Sequence, residues 1–210
     1  NISLIFYGED GEVEYGGSTQ NKGGTVFGMD YLRETLTEGI HESVMAKSSL
    51  SEKEKNFFTF PDPSEYDDKD LHMTHWSYFE PWDPYRNYLI AKEHCGLEEI
   101  EDSNSGTFTN FAQNDQSLYP LHCYLMYLKF GFGRALQDAG IEIRRGSMTR
   151  EQAINLVKMY DGQYPEQYID LYLDYYQMAK KEFDDVLDYH ANKALFEKND
   201  GFWKPKFEIK

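Results

Sequence analysis

The sequence has few cysteines, a shortage of basic residues and no long hydrophobic run. Its two cysteines, Cys95 and Cys123, lie far apart and outside any C-x-x-C motif. This usage predicts no disulfide framework and fits a reducing cytoplasm. No apolar stretch is long enough for a membrane span, and no signal peptide is visible. We therefore expect a cytoplasmic protein without a membrane-spanning segment.

The charge balance is strongly acidic. With 37 acidic and 21 basic residues, the formal charge is −16. Such a field repels the phosphates of DNA and RNA, so a nucleic-acid partner is not expected. A nucleotide carried by Mg²⁺ remains compatible with this charge, because carboxylates bind the metal and the metal bridges the phosphates.

What the sequence does contain is a large aromatic and apolar content arranged as one strand and then helices. Of its 210 residues, 40% are hydrophobic and 17 are tyrosine, which suits a packed globular protein. Residues 2–7 have the pattern of a strand, 8–28 form a glycine-rich loop, and most of the rest has helical patterning. A lone strand needs partners. We therefore interpret the chain as the C-terminal part of a longer protein, with 1–28 ending an α/β domain and 29–210 forming a helical region.

Local signals predict where several helices begin and end. Capping boxes are expected at Ser51 with Glu54 and at Thr149 with Gln152. Proline and glycine positions bound a helix over 84–96. Further helices are predicted for a buried segment over 121–132 that continues to Gly140, for 165–178 and for 180–196.

The acidic turn "GEDGEVEYGG" follows the predicted strand directly. Gly8 and Glu9 stand at its carboxyl end, where ligand sites lie in parallel α/β sheets, and Glu12 and Glu14 follow. Carboxylates at such a position can hold Mg²⁺ or act as a base. The alternative is a solvated loop tip in which the glycines only turn the chain.

Two basic segments are candidates for binding anions. In "KFGFGR", Lys129 and Arg134 flank two glycines that interrupt a helical run, each costing about 1 kcal/mol relative to alanine. The arrangement indicates a phosphate or oxyanion site, or else a helix break with snorkelling cations. In "IEIRRG", Arg144 belongs to a phosphate clamp or to a surface turn.

The segment "HWSYFEPWDPY" is rich in amphipathic aromatic residues. Trp76, Tyr78 and Trp82 are the kind of side chain that stacks on sugar rings or nucleobases. A loop packed onto the core is the alternative. His72 and His75 lack the further ligands that a zinc site needs, so we interpret them as surface or core histidines.

Several stretches together resemble the N-acetyl sugar amidotransferases of surface-polysaccharide and nonulosonic-acid biosynthesis, such as that of pseudaminic acid. The resemblance is carried by "FYGEDGEVEYGG", by the long segment "SLYPLHCYLMYLKFGFGRALQDAGIEIRRGSMTREQAINLVKMYDGQYPEQYIDLYLDYY" and by "KPKFEIK". That family is similar to PP-loop ATP pyrophosphatases. The resemblance implies an α/β fold of the adenine nucleotide alpha hydrolase-like type in the full protein, with one or two strands and then mostly helices in this chain.

The resemblance also implies a reaction. Members use ATP to convert a sugar N-acetyl group to an acetamidino group through an adenylated intermediate, with ammonia from a partner glutaminase and with Mg²⁺ as the metal. The acceptor is a sugar or nucleotide sugar. The S-G-G-x-D-S phosphate loop and the cysteine-rich, zinc-type segment of the family are absent here. We therefore expect this chain to be inactive alone.

Site residues follow from the same resemblance and from the residue chemistry above. We expect catalysis to depend on Glu9, Lys129 and Arg134. Nucleotide binding is assigned to Gly8, Glu9, Glu12, Glu14 and Lys129, with the metal held by Glu12 and Glu14. Substrate binding is assigned to Trp76, Tyr78, Trp82 and Arg144. The alternative function is a non-catalytic helical module that binds a partner or a carbohydrate.

Overall fold

A computed structural model describes residues 2–8, 24–28, 31, 40–59, 71–114 and 116–210, with the backbone alone for 40–43. The chain divides into two compact units, Asn1–Trp82 and Asp83–Lys210. Glu9, Glu12 and Glu14 lie outside the described residues.

The first unit contains a small mixed sheet. Strand β1 (Leu4–Tyr7) pairs in parallel with β3 (His72–His75), and β2 (Phe27–Gly28) pairs antiparallel with the other side of β3. Since side chains alternate along a strand, Ile5 and Tyr7 pack towards the small core around Phe27 and Met73. The opposite face of β1 is open, because Leu4 is 45% exposed and Phe6 is 51% exposed. The parallel partner of the predicted strand thus comes from more than sixty residues further along the chain.

Among the described residues of the first unit, two helices precede β3. They are α1 (Ile40–Lys47) and α2 (Glu52–Lys55). The Glu54 half of the predicted capping box is confirmed. The Glu54 carboxylate accepts hydrogen bonds from the backbone N–H and the hydroxyl of Ser51 at 2.9 and 2.6 Å. A short 3₁₀ turn, Trp76–Tyr78, follows β3 directly.

The second unit consists of helices followed by a hairpin. In chain order its elements are α3 (Pro84–Cys95), α4 (Tyr119–Phe130), α5 (Arg134–Arg144), α6 (Arg150–Tyr160), α7 (Ile169–Tyr176), α8 (Lys180–His190), β4 (Phe196–Asn199) and β5 (Phe202–Pro205). The two strands pair antiparallel, with Lys198 opposite Trp203. Among the residues that the structure describes, no helix is long and apolar enough to cross a bilayer.

One continuous core joins α4, α7, α8 and β4. Its most buried members are large side chains, Leu128, Tyr172 and Phe196, each at most 1% exposed. The Tyr172 hydroxyl donates to the backbone carbonyl of Ser117 at 2.6 Å, which supplies the partner that a buried tyrosine needs. A second, smaller core lies between α5 and α6 around Ala139, Ala153 and Val157.

Helix ends agree with several local predictions and correct others. Helix α3 begins at Pro84 after the Asp83 cap and ends at Gly96 with φ +72°, and Thr149 and Gln152 form both halves of the capping box of α6. Gly140, predicted as a helix end, lies inside α5, because the helix continues through the buried Ile141. The last helix is shorter than predicted and ends at His190, since the chain turns towards β4.

Candidate functional site

The carboxyl edge of the parallel strand pair brings two predicted site residues together. Tyr7 and His75 are partners in the register of β1 and β3, so both strands end at the same edge. Gly8 follows β1 there and Trp76 follows β3. An alanine Cβ at Gly8 would meet no atom of the described residues within 4 Å. This is the geometry of ligand sites in parallel sheets.

An exposed aromatic group stands beside that edge. The ring of Phe6 lies 5.9 Å from the ring of Trp76 and 5.8 Å from that of Phe79. All three side chains are more than half exposed, at 51%, 54% and 57%. Because adjoining exposed aromatic rings are characteristic of binding surfaces, this group extends the edge into a candidate platform.

The other two aromatic residues predicted for substrate binding lie elsewhere in the first unit. Tyr78 packs into the sheet's small core, 6.2 Å from the ring of Phe27 and 6.0 Å from that of His75. Trp82 is half-buried at the end of the unit. Trp76 and Tyr78 therefore face two different clusters, and only Trp76 stands at the exposed edge.

The glycines of "KFGFGR" form the break between α4 and α5. Gly131 ends α4 with φ +82°, a conformation that favours glycine, and Gly133 precedes α5. Lys129 is exposed in the last turn of α4, with its ammonium 5.4 Å from the ring of Phe130. The predicted helix break is therefore present, with one exposed cation at its start.

Arg134 begins α5 and is part of a buried ion pair. Its Nε donates to Oδ1 of Asp138 at 2.8 Å, while the hydroxyl of Thr107 donates to Oδ2 at 2.5 Å. Burial opposes the charge on Arg134, but the neighbouring Asp138 carboxylate outweighs it and raises the pKa of the guanidinium. Burial raises the pKa of Asp138 against the opposing pull of Arg134. Arg134 is therefore a cation held in a fixed position, with one edge of its guanidinium bound to Asp138.

The amino-terminal end of α5 already has an anionic partner within the chain. The carboxylate of Asp161 accepts from the backbone N–H of Gly133 at 2.8 Å and from that of Leu136 at 3.3 Å. An alanine Cβ at Gly133 would lie 2.8 Å from Oδ1 of Asp161. Glycine is therefore required here, because the Asp161 carboxylate approaches the backbone too closely for a side chain. Asp161 is the residue that sequence reasoning missed here, because the cap comes from 28 residues away and leaves no local signal.

The two arginines of "IEIRRG" have different surroundings. Arg144 is the last residue of α5 and is exposed. Arg145 is engaged by two carboxylates, with Asp83 at 3.3 Å and Glu142 at 3.0 Å, and its guanidinium lies 5.5 Å from the ring of Tyr85. Both residues are exposed, and the guanidinium of Arg144 lies beside Gly140, since its Nη1 would be 3.3 Å from a Cβ added there.

Neither a metal cluster nor a disulfide is found where the structure describes the chain. No group of three or more His, Cys, Asp or Glu side chains in those ranges could hold a metal ion. Cys95 and Cys123 are free thiols, as the cysteine usage predicted. The metal ligands predicted at Glu12 and Glu14 lie outside the described residues.

Comparison with known proteins points to a class of biosynthetic protein. Residues 105–208, which lie within the second unit, match a family model of lipopolysaccharide biosynthesis proteins. The family is described as LPS biosynthesis protein WbpG-like, C-terminal domain. No curated protein matches the chain. The match supports, at a coarse level, the surface-polysaccharide family that the sequence resembles.

Proposed function

We propose that this chain is the C-terminal part of an ATP-dependent amidotransferase that converts a sugar N-acetyl group to an acetamidino group in lipopolysaccharide or nonulosonic-acid biosynthesis. The observation that carries the proposal is the match of residues 105–208 to the WbpG-like C-terminal domain. The resemblance of "FYGEDGEVEYGG" and of the long central segment to PP-loop amidotransferases adds the reaction type. The free thiols of both cysteines agree with a cytoplasmic location.

The reaction needs activation, because an amide oxygen is a poor leaving group. The acetamido oxygen attacks the α-phosphate of ATP, which forms an O-adenylated intermediate and releases pyrophosphate. Ammonia from a partner glutaminase then attacks the former carbonyl carbon. AMP departs with the original oxygen, and loss of a proton leaves the acetamidino group. Ammonia must reach the carbon before water does, so the site has to exclude solvent.

The first unit supplies the proposed reacting centre at the carboxyl edge of β1 and β3. Gly8 is proposed to contact the nucleotide, and the adjoining Glu9 is proposed to orient or deprotonate a group there. Trp76, beside Gly8 on the same edge, is the aromatic residue best positioned to contact a ring of the substrate. Glu12 and Glu14 are proposed to hold Mg²⁺, which would neutralise the phosphates.

Roles for three cations of the second unit are proposed from the sequence and the chemistry of these residues. Lys129 is exposed and Arg134 is held at one edge by Asp138, so both are proposed to neutralise the departing pyrophosphate. The exposed Arg144 is proposed to contact a phosphate or carboxylate of the sugar substrate. Lys129 is the better test residue, because removing Arg134 would also leave the buried Asp138 without its partner.

The test uses the full-length product of the gene with ATP, Mg²⁺, ammonium chloride and a panel of N-acetylated sugar nucleotides. We expect AMP, pyrophosphate and a product in which one oxygen is replaced by NH, detected by mass spectrometry. Glutamine should replace ammonium only when the glutaminase is added. Absence of AMP formation with every acceptor would overturn the proposal. ATP–pyrophosphate exchange by the 210-residue chain alone would refute the expectation that this chain is inactive alone.

A matched pair of variants tests the pyrophosphate role. Lys129→Ala should slow turnover about a hundredfold to a thousandfold, since removing one group that stabilises developing negative charge typically has an effect of that size. Lys158→Ala removes an exposed lysine from α6 and should leave turnover unchanged. Equal activity of the two variants would remove Lys129 from the proposed mechanism.

A further inference from the structure

A cavity of about 260 Å³ lies in the second unit between α8 and the β4–β5 hairpin. Tyr124 of α4 and Tyr164, in the segment before α7, complete its wall with Glu166. All of these residues belong to the same compact unit. Pockets for drug-sized ligands measure about 300–1,000 Å³, so this one has room for a single small ring.

One face of α8 forms the polar wall. Lys180, Asp184, Leu187 and Asp188 line the cavity, and their spacing of four, three and one residues puts them on a single helical stripe. Lys180 donates to Asp184 at 2.5 Å along this face. Leu187 provides an apolar patch between the charged groups.

The hairpin forms the aromatic wall and is tied to the helix. Its turn, Asp200–Gly201, has positive φ at both residues, as in the tight turns that fit strand twist. The indole N–H of Trp203 donates to Oδ1 of Asp188 at 3.0 Å, and the ammonium of Lys198 contacts the same carboxylate at 2.6 Å. Phe202 packs edge-on against Tyr164, with ring centroids 6.0 Å apart. The rings are therefore held in place before any ligand arrives.

The charges around the cavity are already matched to one another. Lys180 pairs with Asp184 and Lys198 pairs with Asp188, which leaves Glu166 as the one unmatched charge of the lining. The two ammonium groups also lie over aromatic rings, Lys180 at 6.0 Å from Tyr164 and Lys198 at 5.9 Å from Trp203. A cationic ligand would have to displace these lysines, and an anionic ligand would face three carboxylates.

We propose that this cavity binds a single uncharged pyranose ring. A pyranose has one C–H face, which suits the rings of Phe202 and Trp203, and a rim of hydroxyls that both donate and accept. The paired carboxylates and ammonium groups can accept from and donate to these hydroxyls, because each charged side chain is still at least 35% exposed. This site lies in the second unit and does not depend on the proposed amidotransferase activity.

The experiment measures binding of three matched probes to the 210-residue chain without ATP: N-acetylglucosamine, glucosamine and glucuronic acid. They share a ring and differ in charge. Ligand-observed NMR gives relative affinity. A Trp76→Phe/Trp82→Phe background leaves Trp203 as the single tryptophan reporter for fluorescence and also removes the two first-unit tryptophans assigned above to substrate binding, so a remaining emission change comes from the second unit. We expect N-acetylglucosamine to bind most tightly and to change the Trp203 emission.

Variants then locate the site. Phe202→Ala should weaken N-acetylglucosamine binding about tenfold through loss of ring contact, and this 54% exposed side chain can be removed without opening the core. Glu166→Gln removes the charge of a lining carboxylate and serves to detect binding of a cationic ligand. Tyr189→Ala, which removes an 81% exposed ring outside the cavity lining, is the control and should bind normally.

Three results would overturn the inference. Tighter binding of glucosamine, lost in Glu166→Gln, would make the cavity an aromatic site for cations. Tighter binding of glucuronic acid would make it an anion site. Normal sugar binding by Phe202→Ala, with circular dichroism confirming its fold, would move the sugar away from this cavity.

Discussion

Replacing Gly162 by alanine should destabilise the second unit by about 2–5 kcal/mol. Gly162 has φ +76°, where a non-glycine residue costs about 1–2 kcal/mol. Its new Cβ would lie 2.3 Å from Cε1 of Tyr127. Tyr127 is only 6% exposed and packs against Phe196 at 5.0 Å, so its ring cannot move aside cheaply. Overpacking of this kind costs about 1–3 kcal/mol more.

Gly146 provides the matched control. It has φ +79°, but a Cβ there meets nothing within 4 Å, so Gly146→Ala should cost only the backbone share of about 1–2 kcal/mol. Urea denaturation of both variants, followed by Trp203 emission in the Trp76→Phe/Trp82→Phe background, reports on this unit alone. Equal destabilisation by the two substitutions would refute the predicted contact with Tyr127.

Three further predictions concern thiols, ionisation and packing. Iodoacetamide in mildly alkaline buffer should label the exposed Cys95 but not Cys123. Cys123 is 3% exposed, and burial raises the pKa of its thiol to about 11. Equal labelling of the two cysteines, measured by mass spectrometry, would contradict this prediction. Hydrogen bonds from Lys92 and Tyr88 should lower the pKa of Glu99 from 4.5 to about 2, so the stability from this contact is fully present above about pH 4.5 and is lost as pH falls from there towards 2; an NMR titration midpoint near 4.5 would refute it. Leu128→Ala, at a fully buried position, should lower the free energy of unfolding by about 2–5 kcal/mol in urea, and a loss below about 1 kcal/mol would contradict the core assignment.

Features with a local physical cause were predictable from the sequence. The cap of α6 depends on Thr149 and Gln152, three residues apart, and the ends of α3 depend on Pro84 and Gly96. Each of these signals acts within one turn of helix, so residue order alone contains it. Gly131 and Gly133 also predicted the break between α4 and α5. The sequence left open whether this segment is only a helix break or also a phosphate or oxyanion site.

Features that depend on distant residues were not predictable in the same way. The strand β3 pairs with β1 across more than sixty residues, and its sequence, His72–His75, has no strand-like alternation. The carboxylate of Asp161 caps α5 from 28 residues away. The β4–β5 hairpin is different, because its Asp200–Gly201 dipeptide is a recognised turn signal that the basic, aromatic tail obscured.

The candidate site shows the same division. Placing Gly8 after a strand predicted its position at a sheet edge, and the neighbouring Trp76 was chosen for its aromatic chemistry alone. Their meeting at one edge follows from the parallel register of Tyr7 and His75, which no local pattern contains. The cavity beside α8 likewise requires the hairpin to fold back onto the helix, so its aromatic and charged walls come together only in the structure.

The central claim is that the acetamido oxygen of the substrate is transferred to AMP. The most direct measurement supplies the full-length enzyme with an N-acetyl sugar nucleotide labelled with ¹⁸O in the acetamido carbonyl, together with ATP, Mg²⁺ and ammonium. We expect AMP that contains the ¹⁸O label, in an amount equal to that of an acetamidino product that has lost it. Label retained in the sugar, or found in inorganic phosphate with ADP as the nucleotide product, would contradict the account.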